Sequence, residues 1–389
     1  MPTKELGIYI HIPFCVRKCA YCDFLSFPCT ETVREQYVCQ LLREIRAFDP
    51  VGYQGVSIFF GGGTPSILEA DQIGRILAAV RECFELAEDV EITIECNPGT
   101  LTKGKLEAYR SFGINRLSLG LQSAEDADLR CLGRIHSYRQ FEENYHAARE
   151  AGFTNINVDL MSAIPGQTPE SWETGLKKVL ALKPEHISAY SLIIEEGTPF
   201  YEKYEADHEA RQRGETPQFL PSEEDERTMY HTTLRLLKEA GLERYEISNY
   251  AWPGFESRHN SGYWIRRDYV GFGLGASSLL GNCRMKNTEE LEEYLELPFA
   301  ENQPGIERTL LTRSECMEET MFLGLRLCRG VDPKRFEDAF GETLMDVYGP
   351  VVEKLLKEEL LWWTEEGTLA LTERGMDLAN YVMAQFLLE

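Results

Sequence analysis

Three cysteines stand near the N-terminus of the chain, at Cys15, Cys19 and Cys22, with the spacing C-x3-C-x2-C. Three thiolates on one short loop can each bind one iron of a 4Fe–4S cubane. The fourth iron would then have no protein ligand, and an open coordination position distinguishes catalytic metal centres from structural ones. Zinc is the alternative, but a structural zinc site would need His11 or Asp23 as its fourth ligand. The spacing therefore favours an iron–sulfur cluster.

Other residues that could bind a ligand follow apolar, β-branched runs further along the chain. The run Val56–Phe60 leads into Gly61-Gly62-Gly63-Thr64, a turn whose missing side chains would let a ligand approach the backbone closely. The polar candidates beyond it are Glu95, Gln122, Arg134 and Asp159. Taken singly, each could be a helix cap or a salt-bridge partner, since ionised groups in apolar surroundings need partners. Their interest lies in where the fold would bring them.

Six apolar runs alternate with helix-like patterns. The runs are Leu6–Ile12, Val56–Phe60, Val90–Cys96, Arg116–Leu121, Asn155–Met161 and Ile187–Ile194. The helical patterns are Thr32–Phe48, Leu68–Phe84, Thr102–Phe112, Tyr138–Ala151, Pro169–Leu182 and Glu223–Ala240. Buried strands alternating with helices predict parallel pairing through right-handed crossovers. We predict an α/β fold built on a partial (β/α)6 TIM-like barrel, with a doubly wound sheet as the alternative.

The alternation ends near Gly241, and the pattern changes twice after it. Residues 1–241 are predicted to form the barrel, residues 242–305 a barrel extension and an acidic linker (Glu289–Gly305), and residues 306–389 a mostly helical, winged-helix-like module. The polar segment Gly197–Ser222 is predicted to be a long crossover or lid. In this fold the cysteine loop, the glycine turn, Glu95 and Gln122 all lie at the carboxyl ends of strands, where barrel enzymes build active sites.

Composition limits the classes of partner. The 389-residue chain carries a formal net charge of −24, which argues against a broad nucleic-acid interface because phosphates need a basic face. No run of about 18 apolar residues predicts a membrane span. The N-terminus has no signal-peptide pattern, and 11 cysteines, an odd number, do not suggest a disulfide framework. A cytoplasmic location is therefore expected.

The cysteine spacing and the glycine turn resemble the radical S-adenosylmethionine (SAM) superfamily. The resemblance implies that SAM binds the open iron of the cluster, which on reduction cleaves the sulfonium. It also implies SAM contacts by position, at Tyr9, Tyr21, Gly62, Gly63, Thr64, Glu95, Gln122, Arg134 and Asp159, with Ser191 as a weaker candidate. Glu95 would accept the ribose hydroxyls and Arg134 would pair with the carboxylate of SAM.

Within that superfamily the chain resembles the oxygen-independent coproporphyrinogen III oxidases over nearly its whole length. The matching segments include Tyr9–Cys15, Gly62–Pro65 and the turn Leu371–Gly375. The decarboxylating oxidases have a further cysteine two residues after the third ligand, where this chain has Phe24. The ending Cys22-Asp-Phe is instead similar to the HemW heme chaperones, which are not expected to decarboxylate coproporphyrinogen.

A second segment is similar to the same branch. Residues His259-Asn260-Ser-Gly-Tyr263-Trp264 match its His-Asn-x-x-Tyr-Trp motif. A neutral imidazole can ligate heme iron and aromatic rings can stack on a porphyrin, so His259 is a candidate heme ligand. The alternative is that Tyr263 and Trp264 pack the junction with the C-terminal module while His259 makes a structural hydrogen bond. His136, His186 and Cys96 are further candidate ligands.

Two functions from different classes follow. The first is a heme chaperone that binds heme, delivers it to heme-accepting proteins and retains the SAM and cluster sites. The second is an enzyme, either a coproporphyrinogen III oxidase or another radical SAM enzyme acting on a tetrapyrrole. Both would need an electron donor if the cluster is reduced. Neither predicts a nucleic-acid partner.

Overall fold

Six parallel strands form the centre of the fold in the computed structural model, which describes residues 3–299 and 307–388. They are β1 (Lys4–Ile12), β2 (Tyr53–Gly62), β3 (Leu86–Cys96), β4 (Arg116–Gln122), β5 (Ile156–Ser162) and β6 (His186–Ser191). Side chains such as Ile8, Ile58 and Val158 are fully buried between the sheet and its helices. Each strand begins within four residues of an apolar run in the sequence, because β-branched runs suit a sheet covered on its faces.

The six strands neighbour one another in chain order, and every adjacent pair is parallel. The register places Ile10 beside Phe60 and Ile94 beside Leu117. A doubly wound sheet would reverse its strand order at a central strand. The sequential order therefore confirms the partial (β/α)6 barrel and removes the doubly wound alternative.

Eight helices follow the strands of the barrel. They are α1 (Glu31–Ala47), α2 (Ala70–Cys83), α3 (Lys103–Ser111), α4 (Asp126–Cys131), α5 (Tyr138–Glu150), α6 (Pro169–Leu180), α7 (Pro199–Gln212) and α8 (Glu223–Glu239). Side-chain caps fix several N-termini: Ser137 begins α5 and Thr168 begins α6, each in a reciprocal pair with the residue three positions later. The caps set where each strand–helix loop ends and so fix the loops at the carboxyl end of the sheet.

Helix α7 corrects one prediction. The segment Gly197–Ser222, predicted as a crossover or lid, contains a helix of 14 residues. Thr198 caps it by accepting from the backbone N–H of Tyr201 at 3.2 Å, and Pro199 occupies the first turn, where a missing N–H costs nothing. Pro199, which we interpreted as a loop residue, lies at the start of this helix. Phe200 and Tyr204 then bury against Leu192 beside the cysteine loop.

Later strands extend both edges of the barrel sheet. They are β7 (Glu243–Arg244), β8 (Asn249–Ala251), β9 (Tyr269–Phe272), β10 (Ser277–Leu280), β11 (Cys283–Lys286) and β12 (Glu307–Leu310), with helices α9 (Arg258–Trp264) and α10 (Leu291–Glu296) between them. Strand β8 pairs with β6, and β9 pairs in parallel with β1. The predicted linker Glu289–Gly305 contains α10, and its end lies outside the described residues. Strand β12 pairs with β11, so the sheet continues into the predicted helical module.

The remaining elements enclose a second core. They are α11 (Arg313–Gly324), α12 (Pro333–Phe340), α13 (Leu344–Lys357), β13 (Leu361–Trp363), β14 (Leu369–Leu371), α14 (Glu373–Asp377) and α15 (Ala379–Ala384). Phe336, Tyr348 and Phe386 pack at its centre. Strands β13 and β14 pair antiparallel and form a small hairpin in this module. Within residues 3–299 and 307–388, no helix combines the length and apolar character needed to cross a membrane.

Candidate functional site

The cysteine loop follows β1 and is fixed by backbone hydrogen bonds. The N–H of Cys15 donates to the carbonyl of Phe27 at 3.1 Å, and the N–H of Phe27 donates to Pro13 at 2.9 Å. Within the loop, the N–H of Cys22 donates to Cys19 at 3.3 Å. These bonds hold the three cysteine backbones on a short closed loop.

The middle of the same loop is held from two sides of the barrel. The N–H of Ala20 donates to the carbonyl of Leu132, after α4, at 3.2 Å. The carbonyl of Ala20 accepts from the N–H of Phe200, in the first turn of α7, at 2.9 Å. Helix α7, which the sequence did not predict, therefore helps to position the cysteines.

A cavity of about 520 Å³ opens at the carboxyl ends of the strands and contains the cysteine loop in its wall. The wall brings together most of the residues that the resemblance assigns to the cofactors: Cys15, Cys19, Cys22, Tyr21, Gly62, Gly63, Thr64, Glu95, Gln122, Arg134, Asp159 and Ser191. Such a volume is in the range of small-molecule sites. The barrel thus joins residues separated by up to 176 positions at the face where barrel enzymes bind substrates.

Tyr9 is the exception among the predicted contacts, since it is not part of that wall. Its hydroxyl hydrogen-bonds Nδ1 of His11 at 3.0 Å, and its ring stacks on Phe59 at 6.3 Å between centroids. Nε2 of His11 donates to the carbonyl of Leu25 at 3.2 Å. Both nitrogens of His11 are engaged, so this side chain is not available as the fourth ligand that a zinc site would need.

The glycine turn packs against the cysteine loop. A Cβ on Gly62, whose φ is +110°, would lie 2.5 Å from Cε1 of His11. A Cβ on Gly63 would lie 2.8 Å from the carbonyl oxygen of Phe14 and 3.1 Å from Sγ of Cys15. We predicted that the missing side chains leave room for a ligand. At both positions other atoms of the protein occupy that room.

The acidic side of the cavity is formed by Glu95 and Asp159. Glu95 accepts from the backbone N–H of Gly62 at 3.2 Å. Burial, together with the nearby charge of Asp159, raises the pKa of Glu95 to about 8. Asp159 accepts from Asn157 at 2.7 Å and Ser118 at 3.1 Å, although burial still raises its pKa. These bonds supply the partners that an ionisable group in an apolar strand requires.

Gln122 ends β4 in an unusual conformation. Its φ is +73°, in the left-handed region that costs non-glycine residues about 1–3 kcal/mol. The hydroxyl of Tyr190 donates to Oε1 of Gln122 at 2.8 Å. Strain of this kind persists where surrounding contacts enforce it, and it concentrates at functional sites.

Arg134 supplies a cation beside the thiols. It donates to Sγ of Cys19 at 3.7 Å and also to the carbonyl of Gly120, while its Nε is buried without a partner. Sγ of Cys15 is 3.4 Å from the hydroxyl of Thr64. The guanidinium of Arg134, in the cavity wall beside the thiol of Cys19, provides a positive charge for an anionic group. These residues fit a thiolate-bound cluster with a carboxylate-bearing ligand beside it.

The described residues contain no group of three or more His, Cys, Asp or Glu side chains arranged to hold a single metal ion. A zinc ion requires four ligands to converge on one point, with Zn–S distances of about 2.3 Å. A cubane does not, because each thiolate binds a different iron.

The structure places His259, the candidate heme ligand, in a buried position. Only 3% of its surface is exposed. Nδ1 lies 2.9 Å from the hydroxyl of Ser57, and Nε2 lies 2.8 Å from the hydroxyl of Tyr263. Burial, with the charges of Arg267 and Arg116, lowers the pKa of His259 to about 3. The imidazole is neutral, but neither nitrogen is free to bind iron. The structural alternative is the one the geometry supports.

The rest of that motif confirms the packing alternative. Trp264 stacks under the guanidinium of Arg326, in the loop after α11, at 4.2 Å from the ring centroid. Tyr263 packs edge-on against Tyr269 of β9 at 4.6 Å. Helix α9 therefore connects the barrel with the C-terminal module.

The other candidate heme ligands are also buried. Both nitrogens of His186 are engaged, by Asn157 at 2.6 Å and Tyr245 at 2.9 Å. His136 uses Nε2 for the carbonyl of Leu121 at 3.3 Å, and its Nδ1 is buried without a partner. Cys96 lies in the cavity wall with 4% exposure, and burial raises the pKa of its thiol. Of these, Cys96 alone lies on the cavity.

Tyr190 and Asn260 are among the residues of the cavity wall that were not predicted as ligand contacts. Tyr190 lies in β6 beside Ser191. Because it belongs to an apolar run of the sequence, its hydroxyl was not considered as a ligand contact. Asn260 was considered only as part of a heme motif, yet it lines the cavity while its neighbour His259 points away from it. The period of a short helix could have separated the two residues, because consecutive side chains are about 100° apart.

Family models match both parts of the chain. The model of the radical SAM superfamily matches residues 9–179, and the model of the HemN C-terminal domain matches residues 311–378. The first range contains the cysteine loop and most of the cavity wall. The second covers the core of the C-terminal module.

Curated relatives are similar over the whole length. The heme chaperone HemW of Lactococcus lactis is 36% identical, with 100% of this chain and 99% of the relative covered. The heme chaperone HemW of Bacillus subtilis is 37% identical, with 97% and 98% covered. Among solved structures, the coproporphyrinogen III oxidase HemN of Escherichia coli is similar, with a TM-score of 0.83, 26% identity, and 100% and 91% of the two chains covered.

Proposed function

Because this chain belongs to the radical SAM superfamily and, within it, to the HemW family, we propose that it binds heme and delivers it to acceptor proteins. The observation that carries the proposal is identity of 36–37% to heme chaperones over nearly the full length of both chains. Phe24, in place of the oxidases' further cysteine, supports the same branch. The cofactors of this family are a 4Fe–4S cluster and SAM.

We assign the cofactor sites as follows. Cys15, Cys19 and Cys22 would ligate the cluster, leaving one iron for SAM. The SAM contacts would be the cavity residues Tyr21, Gly62, Gly63, Thr64, Glu95, Gln122, Arg134 and Asp159, while Tyr9 would act from behind the glycine turn. When bound, the cluster and SAM supply one-electron reductive chemistry at the sulfonium.

The chain's own residues would orient SAM and keep its surroundings fixed. Glu95, already bound to the N–H of Gly62, would accept hydrogen bonds from the ribose. Arg134, whose side chain lines the cavity, would pair its guanidinium with the carboxylate of SAM. Gln122 is held by Tyr190 and would present its amide at the strand end. Groups fixed before the ligand arrives lose little entropy on binding.

The direct test is heme transfer. Cluster-loaded protein is saturated with heme, freed of excess by gel filtration and mixed with an apo heme protein whose Soret band differs. We expect stoichiometric heme binding and transfer at a rate above that of free heme in the same buffer. Absence of stoichiometric binding would contradict the chaperone proposal.

The second candidate is an enzyme acting on a tetrapyrrole. The fold match to coproporphyrinogen III oxidase and the complete set of SAM-site residues favour it. It predicts that coproporphyrinogen III stimulates methionine formation from SAM. The chaperone proposal predicts no decarboxylated product, which mass spectrometry of the tetrapyrrole distinguishes.

We further propose a cytoplasmic location, heme-accepting proteins as partners and an external electron donor for the cluster. The absence of a membrane-spanning helix among the described residues is compatible with that location. Heme-loaded protein used as bait in cytoplasmic extract, beside heme-free protein, would test for acceptors whose binding requires the heme.

A further inference from the structure

Two large apolar side chains are exposed at the mouth of the cavity. Phe24, on the cysteine loop, is 62% exposed, and Ile193, after β6, is 66% exposed. Both belong to the wall of the same cavity as the cysteines. They come from loops 169 positions apart in the chain, so the fold brings two apolar groups together at an opening rather than leaving one scattered surface residue.

Two cations stand beside them at the same mouth. Arg17 is exposed and makes no hydrogen bond or ion pair with any described residue. Lys18 donates to the backbone carbonyl of Phe24 at 2.8 Å and has no acidic partner among the described residues. Asp23 and Glu195 also line this opening. We call Arg17, Lys18, Phe24 and Ile193 the rim.

The rim has the chemistry to bind an amphipathic anion. Within the described residues, Arg17 and Lys18 give this opening two cations without a carboxylate partner, on a chain whose net charge is −24. Apolar groups of two loops next to free cations suit a flat apolar molecule with carboxylates at one edge. Heme has an apolar macrocycle and two propionates, so both halves of the rim have a counterpart on it.

The size of the cavity places such a molecule at the mouth. A volume of about 520 Å³ must already accommodate the cluster and SAM. A porphyrin cannot share that interior with both of them. It can lie across the opening, where one face contacts Phe24 and Ile193.

We propose that heme, the ligand assigned under the proposed function on which this inference rests, binds across the rim and closes the cavity. Its macrocycle packs on Phe24 and Ile193, and its propionates pair with Arg17 and Lys18. No iron ligand from His259 is required. Heme bound there covers the exit of SAM, so the two ligands become coupled.

The first test compares Ile193→Ser with Val51→Ser in cluster-loaded protein. Val51 is a matched aliphatic control, 81% exposed and located before β2, at the opposite end of the strand from the cavity. Loss of one large apolar contact should weaken heme binding by about tenfold in Ile193→Ser and leave Val51→Ser unchanged. Ile193 is chosen first because it is remote in sequence from the cysteines.

The second test uses charge on both molecules. Arg17→Glu should weaken heme binding by about threefold at low salt and less at high salt. The dimethyl ester of heme lacks the propionate charges, so it should bind wild type and Arg17→Glu equally. Iron content and the cluster's absorbance must match wild type in Arg17→Glu and in Ile193→Ser. This control matters most for Arg17→Glu, because Arg17 lies between two cysteine ligands.

The third test reads the position of heme directly. Labelled SAM is allowed to leave cluster-loaded protein with and without saturating heme. Heme should slow the release of SAM in wild type and Val51→Ser, and slow it less in Ile193→Ser at the same heme concentration.

The outcomes separate the two proposals. Heme that binds stoichiometrically, with an affinity unaffected by Ile193→Ser and Arg17→Glu and with no effect on SAM release, would place the heme elsewhere and overturn the rim proposal alone. Failure of wild-type protein to bind heme would instead overturn the proposed function.

Discussion

The cavity and the segment His259–Trp264 both carry groups suited to binding a cofactor, yet the structure treats them differently. In the cavity, the guanidinium of Arg134 lies in the wall beside the thiol of Cys19, and Gln122 is held in a strained conformation. In the second region both nitrogens of His259 are satisfied by Ser57 and Tyr263. We infer that a residue type able to bind a cofactor indicates a ligand site only where its side chain reaches an accessible space.

The largest effect is expected from the cysteine loop. Alanine at any one of Cys15, Cys19 or Cys22 should abolish assembly of a stable cluster, because a cubane held by two thiolates leaves two irons without protein ligands. Alanine at the exposed Cys39 is the control. Iron and sulfide content after anaerobic reconstitution measures the effect. A full cluster in Cys19→Ala would disprove the ligand assignment.

The glycine turn gives a second prediction for the cavity. Gly62→Ala would place a Cβ 2.5 Å from His11, which must displace the turn from Glu95. We expect affinity for SAM to fall by about tenfold or more, since small misplacements of a binding group are costly.

Gly152→Ala is the matched control for that substitution. Its φ of +89° is also positive, as the φ of Gly62 is, but nothing lies within 4 Å of the added Cβ. It should cost about 1–2 kcal/mol of stability and leave SAM affinity unchanged. Equal losses of SAM affinity in the two variants would show that strain, not the clash, is responsible.

The buried histidine should behave as a structural group. His259→Ala removes a ring that bonds Ser57 and Tyr263, so it should lower the free energy of unfolding by about 2–3 kcal/mol. His231→Ala, at an exposed position of α8, should change it little. Denaturant unfolding of both variants measures the difference.

The same histidine has a predicted pH signature. Because burial lowers the pKa of His259 to about 3, the unfolded state binds a proton that the folded state refuses below pH 6.5. Its contribution to stability should be lost as the pH falls from about 6.5 towards 3. The stability of His259→Ala should depend less on pH across that window; the same dependence in both proteins would contradict this assignment.

Glu95 should give a pH dependence of the opposite direction. Its pKa rises from an ordinary 4.5 to about 8, so the folded state holds the proton more tightly than the unfolded state. Stability of the SAM-free protein should therefore fall as pH rises from about 4.5 to 8. Glu95→Gln should weaken this dependence, with wild type and variant closest in stability near pH 4.5.

The barrel could be predicted from the sequence because its strands are local apolar runs and its helices have caps within three or four residues. The cysteine loop and the residues at strand ends followed from that order. What could not be predicted depends on distant partners. Ser57 bonds His259 across 202 positions, and the ring of His11, 51 positions away, makes glycine necessary at position 62.

The sequence did not predict helix α7 for a different reason. Its single proline, Pro199, and its charges occur in loops as well as at the start of a helix, and only the burial of Phe200 and Tyr204 decides between them. That burial exists because the cysteine loop and the strand ends provide a surface for it. Local pattern alone could not supply this information.

Heme titration of cluster-loaded wild type and His259→Ala, followed at the Soret band, tests the central claim most directly. We expect about one heme per chain in both proteins, with affinities that agree within about twofold, since both nitrogens of His259 have hydrogen-bond partners. Saturable binding in wild type that disappears in a folded, cluster-loaded His259→Ala would contradict it and identify His259 as the iron ligand.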